Sequence, residues 1–148
     1  MRPPTVITKD FPDHHDAELA IRCYELRREP SLRAARALLI SDFNPKRDED
    51  VVAVTKADHP LNTAWRQTTT YWEMVYAMLK HGIVNPDFFL ESNAEGLVTF
   101  VKVEPFLPAL RELNPRALLN AEWVATHCEL GRWTADRFRK RYAPARGT

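Results

Sequence analysis

The chain has 148 residues, of which 45% are hydrophobic, so it is long enough and apolar enough to bury a core of single-domain size. Its 21 basic and 20 acidic residues leave a formal net charge of +1, which excludes a global field that would steer the whole molecule to nucleic acid or to a membrane. No apolar run approaches the length of a membrane span, and the N-terminus lacks the apolar core of a signal peptide. We therefore expect a cytoplasmic protein without membrane contact.

Apolar periodicity and capping residues predict a chain that is mostly helical. At two expected helix starts an asparagine precedes a proline, so that Asn85 and Asn114 supply the capping oxygen and the missing proline N–H costs nothing. In chain order the predicted helices are Asp13–Arg28, Ser31–Asp42, Asn62–His81, Asn85–Glu91, Glu95–Glu104, Pro105–Leu113, Asn114–Glu129 and Thr134–Tyr142. Gly82 is expected to end the third helix, and Gly131 the helix before the tail.

The start of the first helix contains the group of residues most similar to a metal site. His14 and His15 lie four and three residues before Glu18, so each shares a helix face with that carboxylate. Metal sites usually draw three or four ligands from more than one element. We therefore interpret the group as a polar helix start that Asp13 caps, and we predict no metal site and no cofactor.

Two stretches combine conflicting signals. Residues 44–60 join a charged run to the β-prone Val51–Val54, and we favour a loop with a short helix there. Residues 97–103 are also rich in β-formers, but no partner strand is apparent and a lone hairpin is only marginally stable. We predict a helix for residues 97–103, with a strand as the alternative.

The predicted helix at residues 62–81 is apolar on two sides. Its first stripe follows helical spacing and consists of Leu61, Trp65, Thr68, Trp72, Val75 and Leu79. A second stripe consists of Tyr71, Met74 and Met78. A helix that is apolar on two sides is normally buried between several others, so we place this one at the centre of the fold.

The fold class predicted from these elements is all-α, a compact and bundle-like multi-helix domain around the buried helix at about 62–81. We expect residues 1–148 to form a single helical domain, because the chain shows no internal repeat and no low-complexity segment. The N-terminal extension at 1–12 and the C-terminal tail at 143–148 are expected to be flexible.

Several motifs of the second half resemble a known kind of family. They are the run Tyr71-Trp72-Glu73-Met74, the helix end at Gly82 followed by the capping Asn85, and the proline-flanked segment Pro105–Arg111. Over about Trp65–Val124 they resemble an uncharacterised, all-helical bacterial family of unknown function. The resemblance implies a helical fold and supplies neither an activity nor functional residues.

Four residues of the central helix are the candidates for a small-ligand site, namely Thr69, Trp72, Glu73 and Tyr76. A carboxylate on a largely buried helix can have a shifted pKa and a role in binding or catalysis. The alternative is that Glu73 pairs with a basic residue, since an unpaired buried carboxylate is costly. No catalytic residue is identified.

The last 17 residues contain six basic side chains and one acid. Arg137, Lys140 and Arg141 are the candidates for contact with nucleic acid or with an acidic partner. Phe138 and Tyr142 lie four residues apart, which is equally typical of a helix that docks on the core with a solvated basic face.

The leading functional hypothesis is a noncatalytic protein-interaction module, with a homodimer as one form of it, because aromatic and arginine residues dominate interface hot spots. One alternative is a ligand-binding protein or enzyme with its site in the helical core. The other, less favoured, is binding of nucleic acid or an acidic partner by the basic C-terminal helix. Cys23 and Cys128 show no paired motif and are expected to be buried free thiols, as suits a reducing cytoplasm.

Overall fold

A computed structural model describes residues 8–144 of the chain. None of these residues lies in a strand, and the all-α prediction is confirmed. The helices are α1 (His14–Arg27), α2 (Pro30–Ser41), α3 (Asp48–Val54), α4 (Asn62–Lys80), α5 (Pro86–Leu90), α6 (Gly96–Val103), α7 (Leu107–Leu113), α8 (Leu119–His127) and α9 (Glu129–Tyr142). Residues 1–7 and 145–148 lie outside the described range, so the flexibility of the two ends stays a prediction.

Helix α4 is the centre of the fold, as predicted. It packs against α2 and α8 and also contacts α6. Its first apolar stripe is buried except for Leu61, which is partly buried, and Val75 and Leu79 are fully enclosed. The second stripe is only partly buried, since Tyr71 is buried but Met74 is 52% exposed. The prediction that Met74 faces the core is wrong, because that side of α4 borders an open groove.

Helix α6 is enclosed on every side. All eight of its residues are buried, which accounts for the nearly continuous apolar run that also resembled a strand. Its first residue, Gly96, lies against α4: a Cβ there would stand 2.6 Å from Cδ2 of Trp72 and 2.8 Å from Cε2 of Tyr76. The helix prediction for residues 97–103 is confirmed, and the absent side chain lets α6 reach the central helix.

The stretch 44–60 contains the expected short helix, α3. Three acidic residues occupy its first turn, where they complement the helix dipole. Val51 and Val54 are fully buried and join α3 to the core. The interpretation as a loop with a short helix is confirmed.

The end of the chain differs from prediction in two boundaries. The helix predicted to start at Asn114 starts at Leu119 instead, because the Asn114 side chain accepts the N–H of Arg116 and forms a turn, and Leu118 is left-handed at φ 55°. The last helix starts at Glu129 rather than at Thr134.

The two glycines expected to end helices have different roles. Gly82 follows α4 with φ 70°, as predicted for a residue that ends a helix. Gly131 was expected to end a helix, but it lies inside α9. A Cβ at Gly131 would stand 2.0 Å from the carbonyl oxygen of Val124, so its small size permits a close approach of α8 to α9.

Helix α2 ends on a buried cation. Lys102 of α6 is 1% exposed, and its ammonium, which has three N–H groups, lies within hydrogen-bond distance of four oxygens. Three are the main-chain oxygens of Leu39 at 3.0 Å, Ile40 at 2.6 Å and Phe43 at 3.0 Å, and the fourth is Oδ1 of Asn44 at 3.1 Å. Burial lowers the pKa of Lys102. The lysine thus supplies donors and positive charge to carbonyls that the helix end leaves without partners.

The polar start of α1 is structural. Asp13 caps the helix by accepting the N–H of Asp16 at 3.2 Å, as expected. Asp16 is fully buried, and its carboxylate accepts from Nζ of Lys9 at 2.6 Å and from the N–H of Asn85 at 2.8 Å.

Across the described residues, no helix combines the length and apolarity needed to cross a membrane.

Candidate functional site

The four candidate residues of the central helix lie on different sides of it. Thr69 and Glu73 line an open groove of about 630 Å³ between α4 and the segment that joins α7 to α8. Trp72 and Tyr76 do not line this groove; they are buried against Gly96. The Tyr76 hydroxyl donates to a main-chain oxygen at 2.9 Å, and burial raises its pKa well above the usual value. The structure therefore separates the four residues into two pairs.

Glu73 caps a neighbouring helix. Its Oε2 accepts the N–H of Asn120 and its Oε1 accepts the N–H of Ala121, each at 2.9 Å. These two N–H groups belong to the first turn of α8, which has no cap from its own sequence. Burial raises the pKa of Glu73, and the two N–H groups offset part of that rise. Both carboxylate oxygens are engaged in holding α8 on α4.

Replacing Glu73 with alanine is expected to lower the free energy of unfolding by about 1–2 kcal/mol, because two N–H groups at the helix start lose their acceptors. Urea denaturation measures the loss. Glu112→Ala, which removes an exposed carboxylate from α7, is the matched control and should change stability by less than about 0.5 kcal/mol. Equal stability of the two variants would contradict the capping role.

The basic candidates of the C-terminal helix lie on its exposed face. Arg137 stacks on Trp133, with 4.9 Å between its central carbon and the ring centroid, and Arg141 stacks on Tyr142 at 5.2 Å. Lys140 is exposed. Stacked guanidinium groups of this kind can still contact anions; Arg137 lines one cavity and Arg141 lines another.

A second cavity, which we call the arginine pocket, has more basic side chains in its lining than the groove beside Glu73 has. Its volume is about 470 Å³, within the range of ligand sites. Helix α1, helix α2 and the start of α6 converge on it. The lining residues are Tyr24, Arg27, Arg28, Arg33, Arg36, Ser92 and Glu95. Four cations and one carboxylate thus line the pocket.

Arg27 forms the buried side of the arginine pocket and is only 8% exposed. Its guanidinium donates to Oδ1 of Asn93 and, at 3.1 Å, to the main-chain oxygen of Ser92. Its central carbon lies 5.5 Å from the ring centroid of Trp72 and 5.8 Å from that of Tyr24. Within residues 8–144, no carboxylate forms an ion pair with Arg27. Arg27 is thus a mostly buried cation that neutral oxygens and aromatic rings surround, and it borders an open cavity.

The other three arginines of the pocket differ in their partners. Arg36 donates to Oε2 of Glu95 through Nε at 3.0 Å and through Nη2 at 2.6 Å. Arg28 lies over the half-exposed ring of Tyr24 at 5.6 Å. In the described part of the chain, neither Arg28 nor Arg33 forms an ion pair. Both are exposed, so their guanidinium groups are accessible to an incoming anion.

The acidic residues nearest to this pocket in the sequence are engaged elsewhere. Glu25 pairs with Arg22 at 3.6 Å on the surface of α1. Glu29 caps α2, where its two oxygens accept the N–H groups of Ser31 at 3.0 Å and Leu32 at 2.9 Å. These two carboxylates offset half of the four arginines in a linear charge count, and they do not line the pocket.

The sequence contains one signal that could have indicated the pocket. Arg33 and Arg36 lie three residues apart and so share a face of α2, while Arg27 and Arg28 end α1 only two residues before α2 begins. A connection that short places the two pairs near each other. The stretch from Glu25 to Arg36 contains four arginines and two glutamates, and the sequence does not show that both glutamates bind groups outside the pocket.

One comparison with known proteins gives a match. A family model described as "Domain of unknown function (DUF4760)" matches residues 12–133. This range contains every residue of the arginine pocket and Glu73, but not Arg137, Lys140 or Arg141. No curated protein and no solved structure matches the chain.

Proposed function

We propose that this chain, which belongs to the DUF4760 family of unknown function, is a noncatalytic protein-interaction module. It binds an acidic segment of a partner protein in the arginine pocket. The observation that carries the proposal is Arg27, a buried cation without a counter-ion that faces an open cavity. An acidic side chain of the partner would supply the missing charge. Clusters of arginine are a recurrent means of recognising acidic motifs.

The pocket is prepared for such a ligand before it binds. Hydrogen bonds to the segment at 92–93 and the ring of Trp72 fix the Arg27 guanidinium, so little further ordering is required of it. Arg28 and Arg33 approach from two different helices and can bracket a carboxylate with paired N–H groups. Each such charge-assisted contact contributes about 1.5–3 kcal/mol.

A binding measurement with two matched variants tests this function. The probe is a fluorescein-labelled peptide in which glutamate and glycine alternate, titrated with the protein at low ionic strength and followed by fluorescence anisotropy. Arg33→Ala is expected to weaken binding by about tenfold, because one charge-assisted contact is lost. Arg47→Ala, which removes an exposed arginine that does not line the pocket, is expected to leave binding unchanged.

Two outcomes would contradict the proposal. One is the absence of any binding of the acidic peptide by the wild-type protein. The other is an equal loss of affinity in the two arginine variants, which would indicate general attraction between charges rather than a pocket. Arg33 is exposed, so its replacement is not expected to unfold the protein. Circular dichroism of each variant checks that the fold is kept.

The proposal keeps three finer expectations. A reducing cytoplasm is the proposed location, since Cys23 and Cys128 are both free thiols that the core buries. A homodimer stays a prediction, as does the groove that Thr69 and Glu73 line as a site for a small ligand.

A further inference from the structure

We propose that the anionic group selected by the arginine pocket is the phosphoryl group of a phosphorylated side chain in the partner, rather than a carboxylate. This inference rests on the proposed function and narrows it to one class of partner. It is carried by the number and the arrangement of the unpaired cations in the pocket.

The charge of the pocket exceeds what one carboxylate neutralises. Arg36 and Glu95 neutralise each other, and three cations remain without a carboxylate partner among residues 8–144: Arg27, Arg28 and Arg33. A phosphorylated serine, threonine or tyrosine carries a charge of about −1.5 to −2 near neutral pH, roughly twice that of a carboxylate. Between the two groups, the phosphoryl group balances the three arginines more nearly.

The arrangement of the donors also suits a tetrahedral group. Arg27 lies at the buried side of the pocket, while Arg28 comes from the end of α1 and Arg33 from α2. A phosphoryl group presents three acceptor oxygens that point in different directions, whereas a carboxylate presents two in one plane. In this proposal the guanidinium groups of the three arginines donate to separate phosphoryl oxygens.

The pocket has space for the larger group. Its volume of about 470 Å³ exceeds what a carboxylate alone would fill. Glu95 approaches Arg36 through Oε2 in both of its hydrogen bonds, and that pair lies at the side of the pocket formed by α6. The phosphoryl group would therefore bind towards Arg27, Arg28 and Arg33, which have no carboxylate partner among residues 8–144.

Three peptides test the inference. They share the same uncharged flanking residues and have phosphoserine, glutamate or serine at the central position. Fluorescence anisotropy is expected to show that the phosphoserine peptide binds at least about tenfold more tightly than the glutamate peptide, with the serine peptide weakest. Arg28→Ala and Arg33→Ala are expected to remove that preference, and Arg47→Ala to keep it. Arg27 is left intact, because its replacement would also disturb the core.

Each alternative result has a distinct meaning. Equal binding of the phosphoserine and glutamate peptides would overturn this inference and leave the proposed function standing, whereas no binding of either would overturn both. Inorganic phosphate that binds as tightly as the phosphoserine peptide would show a small-ligand site instead. A single-stranded oligonucleotide that binds more tightly, and loses affinity in Arg33→Ala, would show a nucleic-acid site. Either of the last two results would overturn the inference.

Discussion

Replacing Lys102 with methionine is expected to lower the free energy of unfolding by about 3 kcal/mol. The ammonium donates to three main-chain oxygens at the end of α2, and methionine keeps the apolar stem of the side chain but offers no donor. Each buried acceptor left without a partner costs about 1–3 kcal/mol, and water can reach some of them at the edge of the site. Urea denaturation, with the slope compared between variants, gives the loss.

The control for this experiment is Lys56→Met, which makes the same substitution at an exposed lysine. It is expected to change stability by less than about 0.5 kcal/mol. If Lys102→Met cost less than about 1 kcal/mol, the hydrogen bonds of the ammonium would do no more than offset the cost of its burial.

Replacing Gly131 with alanine is also expected to cost about 3 kcal/mol, although alanine is the better helix former. Within a helix the exchange of glycine for alanine would normally add about 1 kcal/mol of stability. Here the new Cβ would lie 2.0 Å from the carbonyl oxygen of Val124 and 2.9 Å from its carbonyl carbon. Both are main-chain atoms, so α8 and α9 must separate to admit the methyl group.

Thermal unfolding measures this second loss, with Ala34→Ser as a control that adds one atom to an exposed position of α2. The control should leave the midpoint nearly unchanged. A midpoint of Gly131→Ala at or above that of the wild type would show that the helix pair opens freely, and would contradict the close contact between α8 and α9.

Two Asn-Pro pairs show when a local sequence signal predicts the start of a helix and when it does not. Asn85 caps α5 as predicted, since its side chain accepts the N–H of Phe88 at 2.9 Å. Asn114 carries the same signal, but the helix there begins five residues later. The cap of α8 is supplied by Glu73, which lies 47 positions earlier in the chain from Asn120. A cap that comes from another helix leaves no trace in the local sequence.

The central helix could be predicted because its apolar stripes repeat at the helical period, and the helical α6 could be predicted because no strand partner was available. The arginine pocket could not be predicted in this way. Its four cations come from two neighbouring segments, the end of α1 and α2, and the acidic residues Glu25 and Glu29 lie in the same stretch of the sequence. Only the fold shows that those carboxylates are bound to other groups.

The contact of Lys102 with the end of α2 has a consequence for the order in which contacts form during synthesis. Ribosomes release α2 about 60 residues before they release Lys102, since synthesis runs from the N-terminus. Until α6 emerges, the last carbonyls of α2 have only water as a partner. The contact between Lys102 and the end of α2 therefore forms only after most of the protein has left the exit tunnel.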